Sequence, residues 1–169
     1  MPLSIKQLRR MTVLTASGQS IGQIKIPIID PVSGKILAYQ LKRYIPNLLS
    51  PLDIQNITTF RIILSNRYEL HNVEDLVRVQ RVLAEKITII GKPVQSEGGF
   101  KLGKCVEMMV DIKQSMLHGI VVKKQIIPFF PQLTLLIKRD SIVEITKKNI
   151  IVKNSLIKLS IFAKSQKLK

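Results

Sequence analysis

The sequence predicts a mostly β fold, in which two small antiparallel β-barrels are joined by one α-helix. Three observations support this prediction. The pattern of residues 13–43 recurs without a gap at residues 94–124, an offset of 81 positions. A second block, residues 54–66, recurs at residues 142–154, an offset of 88 positions. Apolar residues form 46% of the chain and are mostly Ile, Val and Leu, with no Trp, which favours strands. A repeat of this length indicates one structural unit present twice.

The repeat also divides the chain into parts. We expect a first barrel at residues 1–70, a linking helix at residues 71–87, and a second barrel with a basic C-terminal tail at residues 88–169. Each barrel then has roughly 70 to 80 residues, which is near the lower limit for a self-sufficient hydrophobic core. We therefore expect both barrels to depend on closely packed aliphatic side chains.

The first copy contains alternating strands and turns. Met11–Thr15 is expected to form a strand, and Ile21–Ile29 follows with alternating apolar residues. Asp30–Gly34 combines Asp, Pro and Gly in the manner of a tight turn, and Lys35–Tyr44 returns as the antiparallel partner. Thr59–Leu64 is the last strand of this copy. The expected turns and close strand approaches are at Gly18, Gly22, Asp30, Gly34, Gly99, Gly103 and Asp111.

The second copy repeats this order with one insertion. The two offsets differ by seven residues, and the difference falls between Lys124 and Ser141. The inserted segment, residues 125–133, is apolar and contains two prolines, so it forms a loop or an extra strand. Its apolar side chains either cover one end of the barrel core or anchor a protein partner. The candidate contact residues are Ile127, Phe129 and Phe130.

One helix is expected between the copies, at Val73–Lys86. Asn72 is a suitable N-cap, and Asp75 occupies the acidic position of a capping box. The helical spacing predicts a buried stripe. Its members are Val73, Leu76, Val77 and Leu83.

The repeated pattern resembles the PRC-barrel family, present in tandem. The resemblance rests on an apolar strand, a Gly turn and an apolar-Gly pair, at residues 13–22 and again at 94–103. It continues in a strand that ends in Asp and is followed by a short turn, at residues 29–36 and again from Val110. The linking stretch, residues 74–94, is also similar to the segment that joins tandem members.

This resemblance implies small, mostly antiparallel barrels that present a surface to another macromolecule. The family is similar to the cytoplasmic domain of the photosynthetic reaction-centre H subunit, and it includes the C-terminal domain of a bacterial ribosome maturation factor. Neither domain is an enzyme in itself. This chain departs from both relatives, because no membrane helix is predicted and its first half is another PRC-like copy. Fold likeness alone therefore does not transfer either function.

The residue pattern predicts no catalytic, metal or cofactor site. The glycines lack the strand-loop-helix setting of a phosphate-binding loop. His71 and His118 have no further ligand at zinc spacing, and Cys105 is expected to be a buried filler in an apolar strand. Asp30 and Asp111 are expected to cap turns in separate barrels, rather than to act as an acid–base pair.

Positive charge is the strongest functional signal in the sequence. The chain has 27 Lys and Arg against 11 Asp and Glu, a formal net charge of +16. Two explanations stay open: a lysine-rich composition typical of AT-rich genomes, and a surface for an anionic partner. The candidate surface near the C-terminus is formed by Lys138, Arg139, Lys147, Lys148, Lys153, Lys158, Lys164, Lys167 and Lys169.

These observations predict a non-enzymatic adaptor or assembly factor that docks on an anionic macromolecular complex. A ribosome or another RNA-containing particle is the favoured partner. The alternative is a soluble peripheral factor of a photosynthetic or other membrane electron-transport complex. No small-molecule substrate is expected. The single cysteine and the lack of a predicted signal peptide or membrane span favour the cytoplasm or a plastid stroma.

Overall fold

The chain divides into two units, and strands are the main regular structure of both. A computed structural model describes residues 2–43, 45–124 and 133–155, of which 49% lie in strands and 15% in helices. The first unit comprises Met1–Lys86 together with Val110–Leu117. The second unit comprises Ile87–Met109 together with His118–Lys169. The sheet in each unit curls into a half-barrel.

The first unit contains one curled sheet and two α-helices. Its strands follow the spatial order β6-β7-β2-β3-β4-β5-β8. Neighbouring strands in this order are antiparallel, except for β2 and β7, which run parallel. The elements are β1 (Leu3–Ser4), α1 (Ile5–Leu8), β2 (Thr12–Leu14), β3 (Ser20–Ile29), β4 (Ile36–Leu41), β5 (Leu48–Leu49), β6 (Ile54–Ile57), β7 (Arg61–Leu64), β8 (Leu70–His71) and α2 (Val77–Ala84).

The second unit repeats six of these strands in the same spatial order, and β8 has no counterpart among its described strands. Its order is β12-β11-β10-β9-β14-β13, and β9 and β14 again form a parallel pair. A short 3₁₀-helix precedes the last hairpin in both units, at Pro51–Asp53 and at Arg139–Ser141. The strands are β9 (Pro93–Ser96), β10 (Lys101–Asp111), β11 (Met116–Lys124), β12 (Leu133–Lys138), β13 (Ile142–Ile145) and β14 (Ile150–Val152).

The strand register is the same in both units, with the offsets seen in the sequence. A valine of β2 pairs with a glycine of β3 on one side and with an isoleucine of β7 on the other. β9, β10 and β14 have the same pairing. The equivalent sets are Val13 with Gly22 and Ile62, and Val94 with Gly103 and Ile150. The repeat in the sequence is therefore also a repeat in strand pairing.

The last hairpin of each unit is closed by a turn with the same internal hydrogen bond. We call residues 58–61 and residues 146–149 the closing turns. The Thr58 backbone N–H donates to the Arg61 carbonyl at 2.9 Å, and the Thr146 N–H donates to the Asn149 carbonyl at 2.9 Å. The closing turns therefore share a backbone hydrogen bond and differ in their side chains.

The linking helix is shorter than predicted, and it faces the core differently. Residues Val73–Asp75 form a 3₁₀-helix, and Leu76, at φ −121°, separates it from α2. Because α2 begins only at Val77, its buried face is centred on Val79, which is 2% exposed. Val77 and Leu83 are 69% and 44% exposed, so their predicted places in the buried stripe were wrong.

The helix packs on the first unit through a small aliphatic cluster. Its fully buried members come from β3, β4, β5 and α2, and part-buried side chains from β4, the linking segment and α2 pack around them. The helix thereby covers one face of the sheet. The buried members are Ile28, Ala38, Leu48 and Val79, and the surrounding residues are Leu37, Val73, Leu76 and Val82.

The tip of the β10–β11 hairpin belongs to the first unit. Ile36 donates its backbone N–H to the Ser115 carbonyl at 2.8 Å, and Leu117 donates to the Gly34 carbonyl at 2.8 Å. Asp111 is the last residue of β10, a strand of the second sheet, although the hairpin tip that follows it belongs to the first unit, which contains Asp30. This placement depends on tertiary contacts that the repeat pattern does not encode.

Both aspartates accept hydrogen bonds within their own turns. Asp30 accepts from the Val32 N–H at 3.0 Å and from the Ser33 hydroxyl at 2.8 Å, and Asp111 accepts from the Gln114 N–H at 3.0 Å. Burial acts to raise the pKa of Asp30. The hydrogen bonds and the Arg78 guanidinium, 3.4 Å away, outweigh it and hold that pKa below its ordinary value. The Asp30 carboxylate therefore stabilises the turn through its hydrogen bonds.

Equivalent glycines in β3 and β10 differ in how closely the neighbouring strand approaches. Gly22 and Gly103 have φ values of +135° and +133°, which L side chains rarely adopt. A Cβ at Gly22 would meet only the Lys42 carbonyl, at 3.9 Å. A Cβ at Gly103 would overlap the Lys123 carbonyl. The collision expected at both sites therefore exists only at Gly103.

We predict that Gly103→Ala destabilises the protein more than Gly22→Ala. Gly22→Ala costs about 1–2 kcal/mol of backbone strain. Gly103→Ala causes a similar backbone strain, and its Cβ also forces β10 and β11 apart. Urea unfolding of both variants measures the difference, and equal losses of unfolding free energy would contradict the close approach.

Candidate anion-binding groove

A basic groove of about 780 Å³ lies on the second unit. It is formed by β9, β10, the end of β11 and the second closing turn. None of the described residues that line it is Asp or Glu. The charged lining residues are Lys101, Lys104, Lys123, Lys124 and Lys148. We refer to this site as the lysine groove.

Strand geometry brings these lysines together from distant parts of the sequence. The register of β10 against β9 shifts between Lys101 and Gly103, which marks a local irregularity of the β-bulge type. Because Gly103 has no side chain, the backbone of β11 at Lys123 can lie close against it. Two neighbouring strands therefore carry their lysines to one concave surface.

Four of the five ammonium groups are available to a ligand. Lys124 is engaged: its Nζ donates to the Lys101 carbonyl at 2.6 Å and lies 4.9 Å from the centroid of the Phe100 ring. The other four side chains form no hydrogen bond or ion pair with any residue that the structure describes. These four are Lys101, Lys104, Lys123 and Lys148. An anionic ligand would relieve their mutual repulsion.

The equivalent surface of the first unit is internally bonded. Lys42, the counterpart of Lys123, donates from Nζ to the Arg9 carbonyl and to Gln23 Oε1, both at 3.3 Å. Arg43, the counterpart of Lys124, donates to the Ile21 carbonyl at 3.4 Å. Lys123 is therefore free where its counterpart Lys42 is hydrogen bonded, whereas Lys124 and Arg43 both donate to backbone carbonyls.

The closing turn beside the groove is held by a buried lysine. In the first unit the Thr12 N–H donates to the Phe60 carbonyl at 3.0 Å and ties the turn to the first strand. The equivalent of Thr12 is Pro93, which has no N–H to donate. Lys92, only 6% exposed, donates from Nζ to the Lys147 carbonyl at 2.8 Å instead. A side-chain hydrogen bond thus replaces the lost backbone hydrogen bond.

Only part of the predicted basic cluster reaches the groove. Lys148 lines it, whereas Lys138, Lys147 and Lys153 are exposed elsewhere on the unit. Arg139 is half-buried and donates to the Ile142 carbonyl at 2.9 Å. The predicted residues that lie outside the described part of the chain are Ile127, Phe129, Phe130, Lys158, Lys164, Lys167 and Lys169.

The groove lysines of β10 and β11 were missed by sequence reasoning. A signal for two of them was present in the repeat. At the offset of 81 positions, Ser20 and Gln23 of the first copy become Lys101 and Lys104 in the second. A comparison of charge between the copies, rather than a count along one segment, would have identified them.

The perturbed titratable groups lie outside the groove. Burial raises the pKa of Cys105 to about 11, and its Sγ is 3.5 Å from the Glu107 carbonyl. Burial and the charge of Asp111 raise the pKa of Tyr39. Among the described residues, no three His, Cys, Asp or Glu side chains are grouped so as to hold a metal ion.

The groove lies within a recognisable domain. Residues 88–157 match the profile of the PRC-barrel domain, so the chain contains one PRC-barrel domain over this range. This domain indicates a role in protein interaction or assembly. Comparison with curated proteins gives no match. In the described ranges, no helix has both the length and the apolar character needed to cross a membrane.

We predict that Lys92→Met loosens the second closing turn and that adding Pro93→Thr restores it. The first change removes the Lys147 contact at a cost of about 1 kcal/mol. The second change supplies the N–H that Thr12 uses in the first unit. Hydrogen exchange of the amides in residues 146–149 measures the effect. Equal protection in the single and double variants would contradict this account of the turn.

We also predict that the Cys105 thiol reacts slowly with iodoacetamide at pH 8 in the folded protein. Its raised pKa leaves little thiolate at that pH, and the side chain is only 1% exposed. Mass spectrometry follows the alkylation, with urea-unfolded protein as the control. A native rate equal to the unfolded rate would show that this cysteine is accessible and activated.

Proposed function

We propose that this protein is a non-enzymatic adaptor, built from two PRC-type barrels, that docks through the lysine groove on an anionic macromolecular complex. A ribonucleoprotein particle is the favoured partner. The observation that carries the proposal is the set of four free ammonium groups on one concave surface without an acidic neighbour in its lining. The protein-interaction and assembly role of the PRC-barrel domain is consistent with this proposal.

The shared strand register supports the tandem part of the proposal. The strand order, the parallel closing pair and the irregularity beside the glycine recur in the first unit at the offsets of the sequence repeat. Independent origins would not be expected to reproduce bulges and glycine conformations at equivalent residues. The first unit is accordingly a second PRC-type copy in which the groove chemistry was not kept.

The composition of the groove favours a polyanion backbone as the ligand. Lysine presents a compact charge on a flexible stem and contacts phosphate without the fixed geometry of an arginine fork. Phe100, 44% exposed, is an aromatic residue near the groove, and Lys124 lies against it. A single aromatic ring offers little base stacking, so recognition follows the charge of the backbone.

The non-enzymatic part of the proposal rests on how the reactive groups are used. The Cys105 thiol is buried with a raised pKa, and the Asp30 carboxylate is engaged by its own turn. Neither group lines the lysine groove. A nucleophile or general base would need to meet a ligand there.

We predict that replacing Lys101, Lys104, Lys123 and Lys148 by Gln abolishes most RNA binding. Each lost phosphate contact should reduce the slope of log affinity against log salt by about 0.7 for a single strand. Fluorescence anisotropy with a labelled single-stranded RNA, and co-sedimentation with small ribosomal subunits, measure the effect over a salt series.

The matched control removes the same number of charges elsewhere. Lys42, Arg43, Lys147 and Lys153, each replaced by Gln, should leave most of the affinity in place. Equal losses in the two variants would show that only net charge matters and would contradict a docking groove. Binding of the wild type to anionic lipid vesicles, but not to RNA or ribosomal subunits, would replace the ribonucleoprotein by a membrane complex.

A further inference from the structure

The first closing turn displays an apolar side chain where the second displays a lysine. Phe60 occupies the position equivalent to Lys148, and it is 71% exposed in the part of the chain that the structure describes. Its turn is well held, because the Arg61 N–H donates to Thr58 Oγ1 at 3.2 Å and the Thr12 N–H donates to the Phe60 carbonyl at 3.0 Å. A large apolar ring is therefore presented on an ordered backbone.

Two cavities share Phe60 in their linings. One, of about 450 Å³, is lined by residues of β1 and α1, by Arg10 and Met11, by the end of β6 with the closing turn, and by Ile112 and Lys113. The other, of about 550 Å³, is bounded by β2, the Gly18 turn and β7. Both include Thr58, Thr59 and Phe60 in their linings. An extended ligand crossing the turn would contact the ring and enter one or both cavities.

The first of these cavities combines an apolar floor with a cationic rim. Met11 and Ile112 are 1% and 5% exposed and form its floor. Arg10 and Lys113 lie in its lining, both exposed, and neither side chain has a hydrogen bond or ion pair with the described residues. No carboxylate belongs to the lining. The complementary ligand carries an apolar group beside negative charge.

We infer that Phe60 and this cavity form a second docking site, which takes a protein segment with an apolar side chain flanked by acidic residues. A nucleic-acid backbone does not match the site, because its floor is aliphatic and it has two cations rather than a continuous track. A peptide supplies both requirements within a few residues. Ordered aromatic side chains of this kind commonly anchor protein interfaces. The site is distinct from the lysine groove and does not depend on it.

The test uses the full chain and synthetic peptides of about 12 residues. The probe set places Leu or Phe between Glu residues, and the control sets place Ser at the centre or Lys at the flanks. Isothermal titration and amide chemical shifts measure binding. We expect the Glu-flanked apolar peptides to bind and to perturb residues 57–61 and 112–113. The absence of binding by every peptide of the probe set would overturn the inference.

The variants separate an apolar anchor from a general loss of structure. Phe60→Ala should weaken peptide binding at least tenfold, Phe60→Leu should keep most of it, and Leu52→Ala, which alters another exposed apolar residue, should leave it unchanged. The double variant Arg10→Gln, Lys113→Gln should remove the salt dependence of peptide binding. Unchanged binding by Phe60→Ala would overturn the site.

Two further outcomes distinguish the site from its alternatives. The Gln variant of the four groove lysines should bind the peptides like the wild type, so that failure of the lysine groove leaves this inference intact. Peptide binding lost in that variant would assign the peptides to the groove and overturn the inference. Phe60-dependent binding to anionic phosphatidylglycerol vesicles, without peptide binding, would identify a membrane contact and also overturn it.

Discussion

The tie between the closing turn and the first strand is the constraint on which each unit depends. β2 and β7 in one unit, and β9 and β14 in the other, run parallel, although several strands separate them in the sequence. A parallel pair cannot be closed by a short hairpin, so its register must be fixed by contacts at its ends. A backbone hydrogen bond to Phe60 serves this purpose in one unit, and the Lys92 side chain serves it in the other. The turn is thereby fixed beside β2 or β9, where the candidate sites lie.

The two units share their strand pairing and differ in the chemistry of their surfaces. The equivalent turn carries Phe60 in the first unit and Lys148 in the second, and Lys42 of the first unit is hydrogen bonded where Lys123 of the second is free. One frame thus supplies two surfaces of different chemistry, an apolar one with a cationic rim and a strongly basic one. The two surfaces therefore suit ligands of different chemistry, as the proposed adaptor role requires.

The sequence predicted the mostly β character and the antiparallel pairing of β3 with β4, because both follow from apolar periodicity and from turn residues at fixed spacing. It did not predict where α2 begins, because the break at Leu76 is a backbone feature without a Pro or Gly to mark it. The sequence did not predict the lysine groove, because its residues come from β10, β11 and the closing turn. The prediction considered positive charge along one continuous segment only. Only Lys148 belongs to both the predicted cluster and the observed groove.

The placement of the β10–β11 hairpin has a consequence for dissecting the molecule. Its tip, Val110–Leu117, is counted among the residues of the first unit and is hydrogen bonded to Gly34 and Ile36. A fragment cut at the boundaries of the recognisable domain, residues 88–157, would leave that tip without these partners and would deprive the other fragment of a piece of its own structure. Separate expression of either piece would therefore break backbone hydrogen bonds that the full chain retains.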